Sequence, residues 1–135
     1  MENTIIVEAF SSENPYATTV IYDGGKLIAD EKVTAGGGGL GPNPGELLAS
    51  SLATCTVITL KMYAARKGWS DKNISTKIEM ISENGSTKFV RYIQLDSTLT
   101  SEQLDRMLQI AEKCPVHKIL SSSITIQTSL ALLKT

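Results

Sequence analysis

Only two cysteines, one histidine and one tryptophan occur in this 135-residue chain, and aromatic residues make up 5% of it. Each scarcity removes a class of chemistry. Two cysteines are too few for a disulfide-stapled secreted scaffold. A chain of this length buries roughly two-thirds of its unfolded surface and does not need the staple. A structural zinc site wants four ligands, which two thiols and a lone His117 do not supply. Lysine and arginine number 13 against 14 acidic residues, so no basic excess is available to hold a phosphate backbone, and nucleic acid is not an expected partner. The longest uncharged helical stretch, Leu47 to Leu60, falls short of the ~20 residues of a membrane span. Met1-Glu2-Asn3-Thr4 places an acid where a secretory leader carries a cation. These absences predict a single domain over 1–135, soluble and cytoplasmic, away from membranes, with no metal or organic cofactor.

What is present reads as strands, then a helix, then strands and helices again. Thr4–Phe10 and Ala17–Tyr22 are rich in β-branched and aromatic residues, and Asp23-Gly24-Gly25 before Lys26–Ala29 signals a hairpin, which together predict a three-stranded meander. Gly36 to Gly39 suggests a mobile connection, because glycine restricts φ and ψ least. Its G-x-G-x-x-G spacing through Gly41 lacks the βαβ surroundings of a dinucleotide site and is read as a loop. Leu48, Leu52, Cys55, Thr59 and Met62 recur every three or four residues, and apolar residues cover much of the remaining circumference. This predicts a central, nearly enclosed helix that ends at Gly68. Asn73–Met80 and Phe89–Leu95 form a second hairpin around Asn84-Gly85. Thr100 with Gln103 is a capping box for a helix presenting Leu104, Met107, Leu108 and Ala111. That helix stops before Pro115, and Cys114 caps a short turn, Pro115–Leu120. Ile124, Ile126, Thr128 and Leu130 alternate along a last expected strand.

The two cysteines are the candidates for chemistry. A thiolate is the nucleophile, and at Cys114 the start of the following turn, with His117 and Lys118 beside it, could support one. Cys55 has no such support within its own helix. If the sulfurs meet, the natural cycle is attack on a peroxide oxygen, condensation of the sulfenic acid with the second thiol, and reduction by an external dithiol. The same pattern also fits two small apolar core residues. His117 in turn fits either a tuning residue for Cys114 or a surface residue with satisfied hydrogen bonds.

Gly41-Pro42-Asn43-Pro44-Gly45-Glu46-Leu47-Leu48-Ala49-Ser50 through Cys55 resembles the G-x-N-P-x-E/Q-L-x-A-A-x-x-x-x-C signature of the OsmC/Ohr family. Ala111-Glu112-Lys113-Cys114-Pro115-Val116 resembles its A-x-x-x-C-P-V segment. Both stand in the family's order, with strands before, between and after them. The resemblance implies an α+β fold in which antiparallel sheets wrap around two central helices in an intertwined homodimer. It implies a thiol-dependent peroxidase acting on organic hydroperoxides and recycled by a dithiol or lipoylated protein, with Cys55 as the peroxidatic thiol and Cys114 as the resolving one. A family-type apolar substrate pocket would draw on Leu48, Leu52 and Met62. The family supports its first sulfur with a glutamate and an arginine. The glutamate position is Gly45 in this chain, with Glu46 one residue late, and no arginine precedes Arg66. Glu46 and His117 are therefore the candidate assisting residues. A redox-sensing or apolar-ligand-binding dimer with little turnover is the alternative that these departures leave open.

Overall fold

The computed structural model describes residues 4–133. They form an α+β fold of two compact units: the first holds the described residues up to Ser51 together with Glu79–Val90, and the second holds Leu52–Ile78 and the described residues from Arg91 on.

In the first unit β1 (Glu8–Ser11), β2 (Thr18–Tyr22) and β3 (Gly25–Ala29) make an antiparallel meander, with Ala9 opposite Val20 and Val20 opposite Leu27. The turn between β2 and β3 relies on Gly24 at φ 85°. The pairing starts later than the sequence suggests, since Thr4–Val7 lie outside β1. The glycine run is where the structure departs most from expectation. Asp30, 3% exposed, accepts N–H bonds from Glu31 (2.7 Å), Gly38 (3.1 Å) and Leu40 (3.2 Å). The Gly37 and Gly39 amides donate to the Lys32 and Glu31 carbonyls at 3.0 and 3.1 Å. A Cβ on Gly37 would run into the Glu31 carbonyl, and one on Gly41 into that of Ile28. These glycines thus serve close backbone approach around a buried carboxylate, not the mobility that their composition suggested.

α1 (Pro44–Lys67) starts in the first unit and continues through the second. Proline suits its first position, where no amide hydrogen is needed. It ends in a Schellman motif: Gly68 takes φ 73°, its amide donates to Ala65 at 3.2 Å, and the Trp69 amide donates to Ala64 at 2.9 Å. Trp69 then meets Tyr63 edge-on with centroids 5.6 Å apart. β4 (Ser75–Glu83) and β5 (Ser86–Gln94) form the second sheet, joined by Asn84 and Gly85 at φ 51° and 80°, the two left-handed positions of a type I′ turn.

The core of the second unit joins Leu60 and Ala64 of α1 to Met107, Ile110 and Ala111 of α2 (Ser101–Ala111). The capping box forms as the sequence predicts: Thr100 Oγ1 accepts from the Gln103 amide at 3.2 Å, and Gln103 Oε1 accepts from the Thr100 amide at 2.8 Å. α3 (Pro115–Leu120) follows with Cys114 as its N-cap.

Three apolar faces differ from the sequence pattern. The buried stripe of α1 is Leu52, Thr56, Leu60 and Ala64, one residue around from the expected Cys55 and Thr59. The helix is not enclosed, since Leu48, Ile58 and Met62 are exposed. On α2, Met107 and Ala111 are buried as expected, but Ile110 replaces Leu104 and Leu108, which are exposed. The last expected strand, with Ile124, Ile126, Thr128 and Leu130, is not formed, because among the described residues no neighbouring strand supplies its ladder; Ile126 and Leu130 are 85% and 89% exposed. By length and composition alone α1 is long and apolar enough to cross a membrane. A long core helix meets the same criterion.

Two stability predictions follow from these contacts. Asp30→Ala strands three amide hydrogens and should lower the unfolding free energy by about 1–3 kcal/mol in chemical denaturation. Asp96 accepts from the Ser70 hydroxyl and, at 3.2 Å, from the Thr98 amide; these bonds hold its carboxyl below the ordinary carboxylate value. Its contribution to stability is therefore complete above ~3.9 and is lost as pH falls through the lower folded value. Asp96→Asn should flatten the acid limb of the melting-temperature profile and leave its shape near neutrality unchanged.

Candidate active site

The site is built outward from the buried stripe of α1. Thr56 is fully buried, so its hydroxyl must find partners inside: it donates to the Leu52 carbonyl at 2.7 Å and accepts from Arg91 Nη1 at 3.0 Å. Arg91 lies on β5, and strand alternation puts it on the face that Ile93 turns toward the core. Its guanidinium reaches three groups at once. Nη1 also lies 4.0 Å from Cys114 Sγ, and Nη2 lies 3.0 Å from His117 Nδ1.

Arginine is an obligate donor, so His117 Nδ1 accepts and the neutral ring carries its hydrogen on Nε2. Cys114 is fully buried, and its Sγ also accepts the backbone N–H of His117 at 3.3 Å. The Arg91 fork therefore ties the turn of α1 that carries Cys55 to the start of α3. Both thiols are free. Cys55 is half-buried, and its Sγ lies 3.9 Å from Thr59 Oγ1, so the site's cation stands at Cys114 and not at Cys55.

The other residues singled out from the sequence have different placements. Glu46 accepts from the Asn43 amide at 2.9 Å, while Asn43 Oδ1 accepts from the Glu46 amide at 2.8 Å. That reciprocal cap occupies the carboxylate in starting α1. A Cβ on Gly45 would come within 3.2 Å of the Met80 methyl, so a longer side chain there requires Met80 to move. Of the expected pocket residues Leu52 is 4% exposed, whereas Leu48 and Met62 are 45% and 62% exposed. A mostly apolar cleft of about 420 Å³ on α1 is lined by Ala53, Thr54, Val57, Ile58, Ile74, Ser75 and Thr76, and Cys55 is not part of its lining. Among the described residues no group of three or more His, Cys, Asp or Glu is placed to hold a metal ion.

Sequence reasoning missed Arg91 and Thr56. The available signal was a lone cation inside the apolar run Phe89–Leu95, at an inward strand position where a charge needs a buried partner.

The sequence matches the family of OsmC-like proteins over residues 36–129. No curated protein matches the chain. Among solved structures it is similar to an OsmC-like protein of Mycoplasma pneumoniae at 18% identity and a TM-score of 0.77, covering 90% of this chain and 89% of that one. It is also similar to the organic hydroperoxide resistance protein OhrB of Bacillus subtilis, at 24% identity, TM-score 0.59 and coverage of 87% and 90%. An organic hydroperoxide resistance protein OsmC of Legionella pneumophila is similar at 22% identity, with TM-score 0.60 and coverage of 87% and 89%. At these identities the likeness to the solved structures is one of fold. The family match itself runs over more than half of the chain and takes in both cysteines, and on that ground the protein belongs to the OsmC-like family.

Proposed function

We propose that the protein is a thiol-dependent reductase of organic hydroperoxides that acts as a cytoplasmic homodimer in oxidative stress defence. The observation that carries this reading is the Arg91 bridge between Thr56, the neighbour of Cys55, and Cys114. Family membership and the names of the B. subtilis and L. pneumophila relatives support the substrate class.

In the proposed cycle Cys55, the half-buried and so more reachable thiol, attacks the peroxide oxygen. The O–O bond breaks, the alcohol leaves, and Cys55 becomes a sulfenic acid. Cys114 then attacks that sulfur; an S–S bond forms, the S–O bond breaks, and the hydroxide leaves as water with the thiol proton. An external dithiol or lipoylated protein reduces the disulfide and restores both thiols. The cycle needs no metal or organic cofactor.

The homodimer is supported by the faces that the single chain leaves uncovered. Leu48, Ile58 and Met62 lie along one exposed side of α1, and the segment containing Ile124, Ile126 and Leu130 is apolar and unpaired among the described residues. A second copy would cover the exposed apolar side of that helix. A competing reading, a redox-sensing or apolar-ligand-binding dimer with little turnover, is favoured by one specific observation: Gly45 supplies no carboxylate and Glu46 spends its own on the helix cap.

Two measurements decide. With an alkyl hydroperoxide and a dithiol, Cys55→Ser should abolish turnover, while Cys114→Ser should leave a sulfenic acid on Cys55 that dimedone traps and mass spectrometry detects; wild-type protein that stays fully reduced at excess peroxide would exclude the enzyme. Light scattering of the pure protein should return twice the 14.5 kDa chain mass, and a monomer would remove the dimer from the proposal.

A further inference from the structure

Arg91 has an unusual set of partners. Its guanidinium is partly buried and bonds a hydroxyl, a neutral imidazole and a thiol sulfur, yet among the described residues no carboxylate meets it; the salt bridge present there is Lys61 with Asp71, at the surface. A partly buried cation without an anion is unfavourable unless a counter-charge can form beside it. The group in contact that can acquire a negative charge is Cys114. Its sulfur is fully buried, faces Nη1 at 4.0 Å and already accepts the His117 amide at 3.3 Å. Thr56 and His117 hold the fork on both sides, so the guanidinium cannot turn from the sulfur without losing two bonds.

The geometry points to Arg91 as the positioning residue of the second half-reaction: it holds Cys114 as the attacking thiolate, in an ion pair, for displacement at the sulfur of Cys55. This rests on the proposed thiol cycle and assigns cationic support to the resolving step. The thiolate of Cys114 donates an electron pair to the Cys55 sulfur, the S–S bond forms as the bond to the departing group breaks, and that group leaves with the electron pair. When the departing group is hydroxide it takes up the proton that Cys114 gave up and becomes water. Arg91 keeps its charge throughout and changes partners only in losing the thiolate.

The test separates this step from peroxide chemistry. Cys55 of the reduced protein is loaded with thionitrobenzoate from Ellman's reagent, and release of the second thionitrobenzoate reports attack by Cys114. Wild type should show a fast second release, and Cys114→Ser should show none. Arg91→Met should slow it by at least about tenfold, the rate equivalent of losing one hydrogen bond to a charged group. Arg91→Lys, which keeps a charge without the fork, should recover part of the rate, a rescue that a purely structural role would not give. Thr56→Val, which leaves Arg91 in place but removes its hydroxyl partner, should slow the second release less than Arg91→Met and serves should that variant fail to fold. Equal second-release rates in wild type and in Arg91→Met, or, where that variant does not fold, in Thr56→Val, would overturn the assignment, as would a wild type that releases no second thionitrobenzoate. In a parallel arm with an alkyl hydroperoxide, the sulfenic acid on Cys55 should persist longer in Arg91→Met than in wild type. If wild-type Cys55 never oxidises, the peroxidase reading falls, while the thionitrobenzoate arm still decides the role of Arg91.

Discussion

Burial of one stripe of α1 is the constraint from which the rest of the second unit follows. Leu52, Leu60 and Ala64 are apolar members of that stripe, and the last two meet α2 in the core. Thr56 stands among them as the polar member. A hydroxyl removed from water needs both a donor and an acceptor role filled, and its surroundings fill them with the Leu52 carbonyl and Arg91. The requirement that closes the core thus also fixes the guanidinium. The candidate site is anchored on the one polar member of the same packed stripe, so a change that loosens the helix pair also loosens the hold on Arg91.

The electrostatic arrangement differs from the one that the family resemblance implies. There the cation and the carboxylate support the first cysteine. In this chain the strands before α1 contain no arginine, Gly45 has no side chain to offer, and Glu46 is spent on the helix start. The arginine present at the thiols comes from β5 and stands at the other sulfur. The two thiols are therefore unequal: one is reachable and paired with a hydroxyl, the other enclosed and paired with a cation.

Much of the architecture was legible because it rests on local rules. The Asn84-Gly85 turn, the Thr100 box, the stop at Gly68 and the cap at Cys114 each depend on a few adjacent residues whose stereochemistry admits few alternatives. The misreadings share a different cause. On a helix whose apolar residues spread over much of its circumference the sequence does not mark which stripe faces inward, so Thr56 was passed over in favour of its neighbour Cys55. The glycine run looked loose because its partner, the Asp30 carboxylate, is identified only once the backbone folds back on it. Arg91 was missed for a similar reason, since its partners lie 23 to 35 residues away along the chain. The alternation at Ile124–Leu130 is a true strand pattern, but a ladder needs two sides and the described chain supplies one.

The cap on α3 has a consequence of its own. Pro115 has no amide hydrogen, and the first bond closing onto the cap runs from the His117 amide to the Cys114 sulfur. The same residue offers its ring nitrogen to Arg91. A sulfur drawn into a covalent bond has less electron density for that amide, and its departure leaves the guanidinium and the ring facing a vacated charge. One sulfur atom thus takes part both in the cap of α3 and in the contact with Arg91, so the helix start and the guanidinium share a single point of support.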